Sequence, residues 1–261
     1  VDVTATAYVF GAADDDVLAQ QRHLADAYDT ITRTRLMGTG VGAGWDCLDV
    51  GTGGGTVAAW LARRVGQSGT VLATDRVLPA AIRGVTPLLH DITRDPLPDN
   101  AFDLIVARLV LRHLPARDEV LARLVRALKP GGWLQIDEFD TAYQPCLTAP
   151  SPDGVLLYQR FLRARDAVMA AVGVDGAYGR RAAAAMVSAG LVDVDASPTV
   201  ELWCAGSPGL GLLAGITHQL RAELIAVGMT GADLAEVRAL LAHEDFRASS
   251  SVFYSVQGRR S

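Results

Sequence analysis

One short stretch constrains this chain more than any other. Cys47-Leu48-Asp49-Val50 is an apolar run too short for a helix, and it breaks at once into Gly51-Thr52-Gly53-Gly54-Gly55. A helical pattern follows, with Val57, Trp60, Leu61 and Val65 on one side and Arg63 and Arg64 on the other, until Gly66 and Gly69 stop it. A buried strand that turns through glycines into a helix opens a parallel βα unit. The alternation continues: 70–75 reads as a second strand, 85–89 as a third and 102–107 as a fourth. A helix over 114–128 and a fifth strand over 133–138 flank the stop signal Lys129-Pro130-Gly131-Gly132. The expected fold class is α/β: a doubly wound, mostly parallel sheet with helices on both faces. One domain, 1–261, is expected, with its core over about 38–140, 185–204 and 248–261. Residues 1–37, 141–184 and 205–247 are mostly helical, with one helix expected over 210–227, and read as a cap. The alternating run 250–256 is expected to be a final edge strand.

Composition excludes some partners. The net charge is −5 and there is no basic cluster, so a phosphate-neutralising groove for nucleic acid is not expected. Lys129 is the one lysine beside many arginines, a bias typical of a GC-rich genome. Three scattered cysteines make neither a disulfide framework nor a metal cluster. No apolar run spans a bilayer and no signal-peptide pattern opens the chain, so a cytoplasmic setting without metal or membrane is the expectation.

The glycine turn lies where open α/β sheets bind ligands, at the carboxyl ends of the strands. A dinucleotide turn needs G-x-G-x-x-G, but the sixth position here is Thr56. Asp49 is the second discriminator. A carboxylate beside a pyrophosphate would be repelled, whereas it suits a ligand carrying a cation. S-adenosylmethionine has an ammonium and a sulfonium and no phosphate. Asp75, ending the second strand, can accept both hydroxyls of a ribose; the plain alternative is a solvated turn residue. Asp91 could bond an adenine amino group with Ile92 packed on the ring, or simply cap a turn.

The stretch 45–55, Trp60-Leu61, Arg64-Val65-Gly66 and Ala73-Thr74-Asp75 resembles the class I S-adenosylmethionine-dependent methyltransferases. Two later blocks agree: Pro96-Leu97-Pro98 with the run 102–108, and Leu124 to Leu128 with Lys129-Pro130-Gly131-Gly132-Trp133. The resemblance covers roughly 25–140, and the run 106–115 resembles a bacterial, actinomycete-type small-molecule branch. It implies S-adenosyl-L-methionine as cofactor. It assigns Asp49, Gly51, Gly53 and Gly55 to the methionine end, Asp75 with its neighbour Arg76 to the ribose, Asp91 and Ile92 to the adenine, and Arg108 to a contact near the methionine moiety through its backbone. The chain departs from the family between Asp75 and Asp91. Only fifteen residues lie there, including Pro79 and Pro87, so the second crossover helix must be very short.

The fourth strand ends without an Asn/Asp-Pro-Pro-aromatic element, a metal-ligating carboxylate or a glutamate pair, which leaves a small organic acceptor. If the acceptor is a hydroxyl, a general base helps. His113 and Glu138 are the candidates by position; Asp137 replaces Glu138 if the register is off by one. His218 and His243 belong to the cap helices. Tyr8 and Phe10 could close over the cofactor, and Arg35 could reach its carboxylate. Tyr158, Phe161, Met169, Tyr178 and Trp203 could line an acceptor pocket or simply be core. The expected activity is methyl transfer to an O, N or C nucleophile of a small molecule, in natural-product metabolism, by a monomer or homodimer. The alternatives are a non-methylating step such as cyclisation or decarboxylation on the same scaffold, and a binding or regulatory protein.

Overall fold

The computed structural model describes residues 15–78 and 81–261. Helix α1 (Asp15–Gly38) leads into β1 (Asp46–Val50), α2 (Thr56–Val65), β2 (Thr70–Asp75), β3 (Thr86–Leu89), β4 (Phe102–Arg108), α3 (Arg117–Ala127) and β5 (Leu128–Asp140). Then come β6 (Cys146–Thr148), α4 (Pro152–Ala171), α5 (Tyr178–Ser188), β7 (Leu191–Thr199), β8 (Leu202–Cys204), α6 (Pro208–Gln219), α7 (Arg221–Ala226), α8 (Gly231–Leu241), β9 (Arg247–Ser249) and β10 (Val252–Arg260). These residues form two compact units, one of 28–140, 177–199 and 253–261, the other of the remainder.

The first unit holds a seven-stranded sheet in the order β3-β2-β1-β4-β5-β10-β7. The strands β3, β2, β1, β4 and β5 are parallel, and β10 runs antiparallel to β7. This is the α/β, mostly parallel, Rossmann-like class expected. The alternation of side chains along each strand makes two cores. On one face Cys47, Val71, Leu104 and Val106 pack with Leu36 of α1 and Val57, Leu61 and Val65 of α2. On the other, Leu48, Val50, Ile105, Leu134 and Ile136 pack with Val120, Leu121 and Leu124 of α3 and with Tyr178, Ala182 and Met186 of α5. Each such side chain contributes about 1.5–3 kcal/mol by leaving water.

Three expectations are corrected. The last strand is not an edge: β10 lies between β5 and β7. The fifth strand begins at Leu128, so Lys129-Pro130-Gly131-Gly132 lies inside it, at a register shift beside β4. The predicted helix over 210–227 is two helices, interrupted at Leu220. As the sequence foresaw, the β2–β3 connection is short. Its described residues contain no helix, and all four residues of β3 are exposed.

The second unit is largely helical, with a three-stranded sheet in the order β6-β9-β8. Tyr158 of α4 meets the Phe246 ring edge-on at 5.2 Å. Thr230 and Asp233 exchange side-chain and backbone bonds in a capping box that starts α8. Among the described residues no helix is long and apolar enough to cross a membrane.

Candidate functional site

Strand β1 carries Asp49 to the carboxyl edge of the sheet and buries it on the α1–α2 face, the face of its neighbour Cys47. The chain then needs three left-handed residues, and glycine supplies them: φ is +64° at Gly51, +52° at Gly53 and +71° at Gly55. Space is restricted as well. A Cβ on Gly51 would lie 2.5 Å from Val110 Cγ2, and one on Gly55 would strike Ile82 Cδ1. The turn is held from three sides. Thr52 N–H donates to the Thr74 carbonyl at 3.0 Å, Gly53 N–H to Asp75 Oδ2 at 2.8 Å, and the Thr52 hydroxyl to Asp49 Oδ2 at 2.7 Å.

Burial pushes the Asp49 carboxyl up to about 6, against the pull of the Thr52 hydroxyl and the Arg108 charge. Among the described residues no cation lies in ion-pair contact with it. Arg108 instead donates to Asp29 Oδ1 of α1 at 2.7 Å. A buried carboxylate without a counter-ion, beside a backbone turn that excludes side chains, is the donor set for a cationic ligand. A phosphate has no place there. The arrangement therefore fits the methionine end of S-adenosylmethionine.

The other expected contacts separate into those near this turn and those away from it. The Asp75 carboxylate accepts from Gly53 N–H and, through Oδ1, from Arg76 N–H at 2.7 Å. Arg76 is exposed and its charge favours ionised Asp91. Asp91 caps its own turn: Oδ1 accepts from Thr93 N–H at 3.0 Å and the Thr93 hydroxyl at 2.6 Å. Oδ2 lies 3.9 Å from Arg94 Nε. Ile92 is buried in the core cluster that also holds Leu121 and Leu124, where an apolar residue gains most.

Arg35 is also corrected. Its guanidinium pairs with Asp195 of β7 at 2.7 Å, four strands from β1, or about 19 Å at ordinary strand spacing. Arg108 turns its side chain to α1, on the same face as Asp49. Tyr8 and Phe10 lie outside the described residues.

At the end of β5 two adjacent carboxylates point to opposite faces. Asp137 faces α1. The Thr32 hydroxyl donates to its Oδ2 at 2.6 Å, and Gln135 Nε2 reaches both oxygens at 3.0 and 3.1 Å. Burial raises its pKa, and the surrounding bonds hold it down. Glu138 faces the other side, with Leu134 and Ile136. Its Oε1 accepts from Val110 N–H at 3.1 Å and Arg112 N–H at 3.2 Å, while Oε2 is buried without a partner among the described residues. Burial pushes Glu138 up to about 7, opposed by the Arg112 charge and these backbone donors. The Tyr178 hydroxyl is likewise buried without a hydrogen bond among the described residues, and burial, with the Glu138 charge, raises its pKa. His113 ends the Leu111–His113 turn, and burial with the Arg112 charge pushes it down to about 3. Such an imidazole is neutral near pH 7 and a weak base. His218 and His243 belong to the helical unit, and His243 is exposed there.

Sequence reasoning missed Asp29, Thr32, Ile82 and Val110. Tyr28, Thr32 and Leu36 form a buried i, i+4, i+8 row that marks the inner face of α1. Asp29 and Arg33 form an i, i+4 pair with the outward look of a solvated one, and they have the opposite destination.

Comparison with known proteins agrees with this geometry. Residues 48–136 match the family described as a methyltransferase domain. The ubiquinone/menaquinone biosynthesis C-methyltransferase UbiE of Cupriavidus necator is 36% identical over 118 residues, covering 41% of this chain and 48% of that enzyme. The methyltransferase GfsG of Streptomyces halstedii is 37% identical over 123 residues, covering 43% of this chain and 44% of that protein. The chain thus spans about half the length of the curated relatives it matches. A Haemonchus contortus phosphoethanolamine N-methyltransferase 2, solved with S-adenosyl-L-methionine, superposes with a TM-score of 0.55 at 15% identity, over 95% of this chain and 57% of that one. Residues 48–136 thus carry the match to a methyltransferase domain, and the seven-stranded sheet around them has the fold of that solved methyltransferase structure.

Proposed function

We propose that the protein transfers the methyl group of S-adenosylmethionine to an O, N or C nucleophile of a small organic molecule in natural-product metabolism. One observation carries this reading: a buried Asp49 without a counter-ion on a glycine turn inside a matched methyltransferase domain. The names of the relatives support a small acceptor, since one is a quinone-pathway C-methyltransferase and another a Streptomyces methyltransferase. A single domain with a helical cap belongs to the same proposal.

The bound cofactor would supply an electrophilic methyl on a sulfonium, and the protein would supply orientation and a dry site. Asp49 would face the ammonium, and the left-handed glycines would let the backbone pass beneath it. Asp75 would accept from ribose hydroxyls, and Asp91 Oδ2 from the adenine amino group. Where the acceptor must lose a proton, Glu138 is the base we assign. It has a buried oxygen without a partner and a pKa near the working pH.

Calorimetry with S-adenosylhomocysteine tests the cofactor, and no measurable binding refutes it. Mass spectrometry with methyl-labelled cofactor tests the transfer. A product formed at full rate without the label refutes methylation and leaves the cofactor reading standing.

A further inference from the structure

Asp29 is buried on α1, and both its oxygens are engaged. Oδ1 accepts from Arg108 at 2.7 Å and from the Thr56 hydroxyl at 3.0 Å, and Oδ2 accepts from Arg33 at 2.5 Å. Arg33 also donates to the Thr56 carbonyl at 3.3 Å. Thr56 opens α2 directly behind the glycine turn, and Arg108 closes β4 directly beside β1. One helix residue therefore fixes both neighbours of the turn.

Three carboxylates compete for the same guanidinium. The Arg108 charge reaches Asp49 and Asp137, yet among the described residues only Asp29 holds it in contact. Among the described residues, the charged groups around Asp49 are Arg108 on β4 and Asp75 at the end of β2, with Asp29 and Arg33 of α1 and Asp137 of β5 beyond Arg108; α2 offers the Ala58 amide. If Arg108 closed on Asp49, that carboxylate would carry an internal counter-ion and attract an outside cation weakly.

We infer that Asp29 is a positioning residue: by holding Arg108 it keeps the Asp49 carboxylate open to the ammonium of an amino-acid-bearing ligand. The inference rests on the cofactor reading above.

Two probes separate this role from a merely structural one. S-adenosylhomocysteine carries the ammonium, and methylthioadenosine lacks the whole amino-acid end. In Asp29→Asn, calorimetry should find S-adenosylhomocysteine about tenfold weaker, the worth of one charge-assisted bond, and methylthioadenosine within about twofold. Equal weakening of both, or none for S-adenosylhomocysteine, overturns the proposal. A second measurement needs no ligand. Carbon-13 NMR should show the Asp49 carboxyl titrating at lower pH in Asp29→Asn than in the wild type, because Arg108 has moved to it. An unmoved titration overturns the proposal by itself. Wild-type protein that binds neither probe would end the cofactor reading and leave the titration to decide the role of Asp29. If Asp29→Asn does not fold, the double variant Asp29→Asn/Arg108→Gln replaces it. With no guanidinium to occupy Asp49, it should keep the wild-type preference for S-adenosylhomocysteine; loss of that preference overturns the proposal.

Discussion

Asp137 and Glu138 are consecutive residues on one strand, both fully buried, and they have opposite surroundings. Asp137 is saturated by side chains: Thr32 from α1 and Gln135 from its own strand, with Gln257 of β10 bonded in turn to Gln135 at 2.8 Å. Among the described residues, Glu138 is hydrogen-bonded only by backbone, and one of its oxygens has no partner. The first carboxylate is the hub of a polar network that joins α1 to the sheet. The second fastens the 110–112 turn and keeps one lone-pair face in reserve. Burial alone therefore does not mark a chemical group. An unfilled hydrogen-bonding capacity at the carboxyl edge does.

Four outcomes would break or sharpen this contrast. The largest concerns Glu138→Gln, whose amide oxygen can keep both backbone bonds while the base is lost. Turnover with labelled cofactor and an acceptor that must be deprotonated should fall about 10²- to 10⁴-fold, with S-adenosylhomocysteine affinity unchanged. Full turnover would place Glu138 beside Asp137 as purely architectural. Asp137→Ala should instead cost about 2–4 kcal/mol in urea unfolding, since it strands Thr32 and the Gln135 amide in the core.

The third outcome is a pH dependence. The folded pKa of Glu138, about 7, exceeds its ordinary 4.5, so the folded state binds the extra proton between those values. Stability contributed by this group is therefore present below about 4.5 and lost as pH rises through 7, roughly 3 kcal/mol in all. Asp49, raised from 3.8 to about 6, acts in the same direction at lower pH. Urea midpoints at pH 5 and pH 8 should differ less in Glu138→Gln than in the wild type; an equal difference would refute the assignment. The smallest effect is expected for Thr32→Val, about 1 kcal/mol from one lost bond to Asp137, with the pH dependence from Glu138 intact.

The sheet core was legible because buried parallel strands are continuous apolar runs, and 47–50 and 102–107 have no other reading. The final strand was misread as an edge for a specific reason. Ser255 and Gln257 look like a solvent face, yet both are buried, and Gln257 Nε2 donates to the Arg35 carbonyl at 2.6 Å. A polar residue satisfied by hydrogen bonds looks in sequence like a wet one. Asp29 escaped for the same reason. At the site, Asp49 was legible because its charge contradicts a phosphate. The reach of Arg35 was not, because a long helix side chain finds its partner only once the chain is folded. Val110 was invisible too, since nothing local says which side chain will lie over Gly51.

The short crossover between β2 and β3 has a consequence for how this protein behaves in a crowd. Strand β3 ends the sheet with Leu88 and Leu89 pointing to opposite faces, both in water. An uncovered apolar edge invites a strand from another molecule to add to it. The four-residue length of β3 and Pro87 at its centre oppose that, because the proline has no amide hydrogen to offer an incoming chain. Replacing Pro87 would restore a donor to the rim, and self-association at high concentration would report how much protection one imino acid gives.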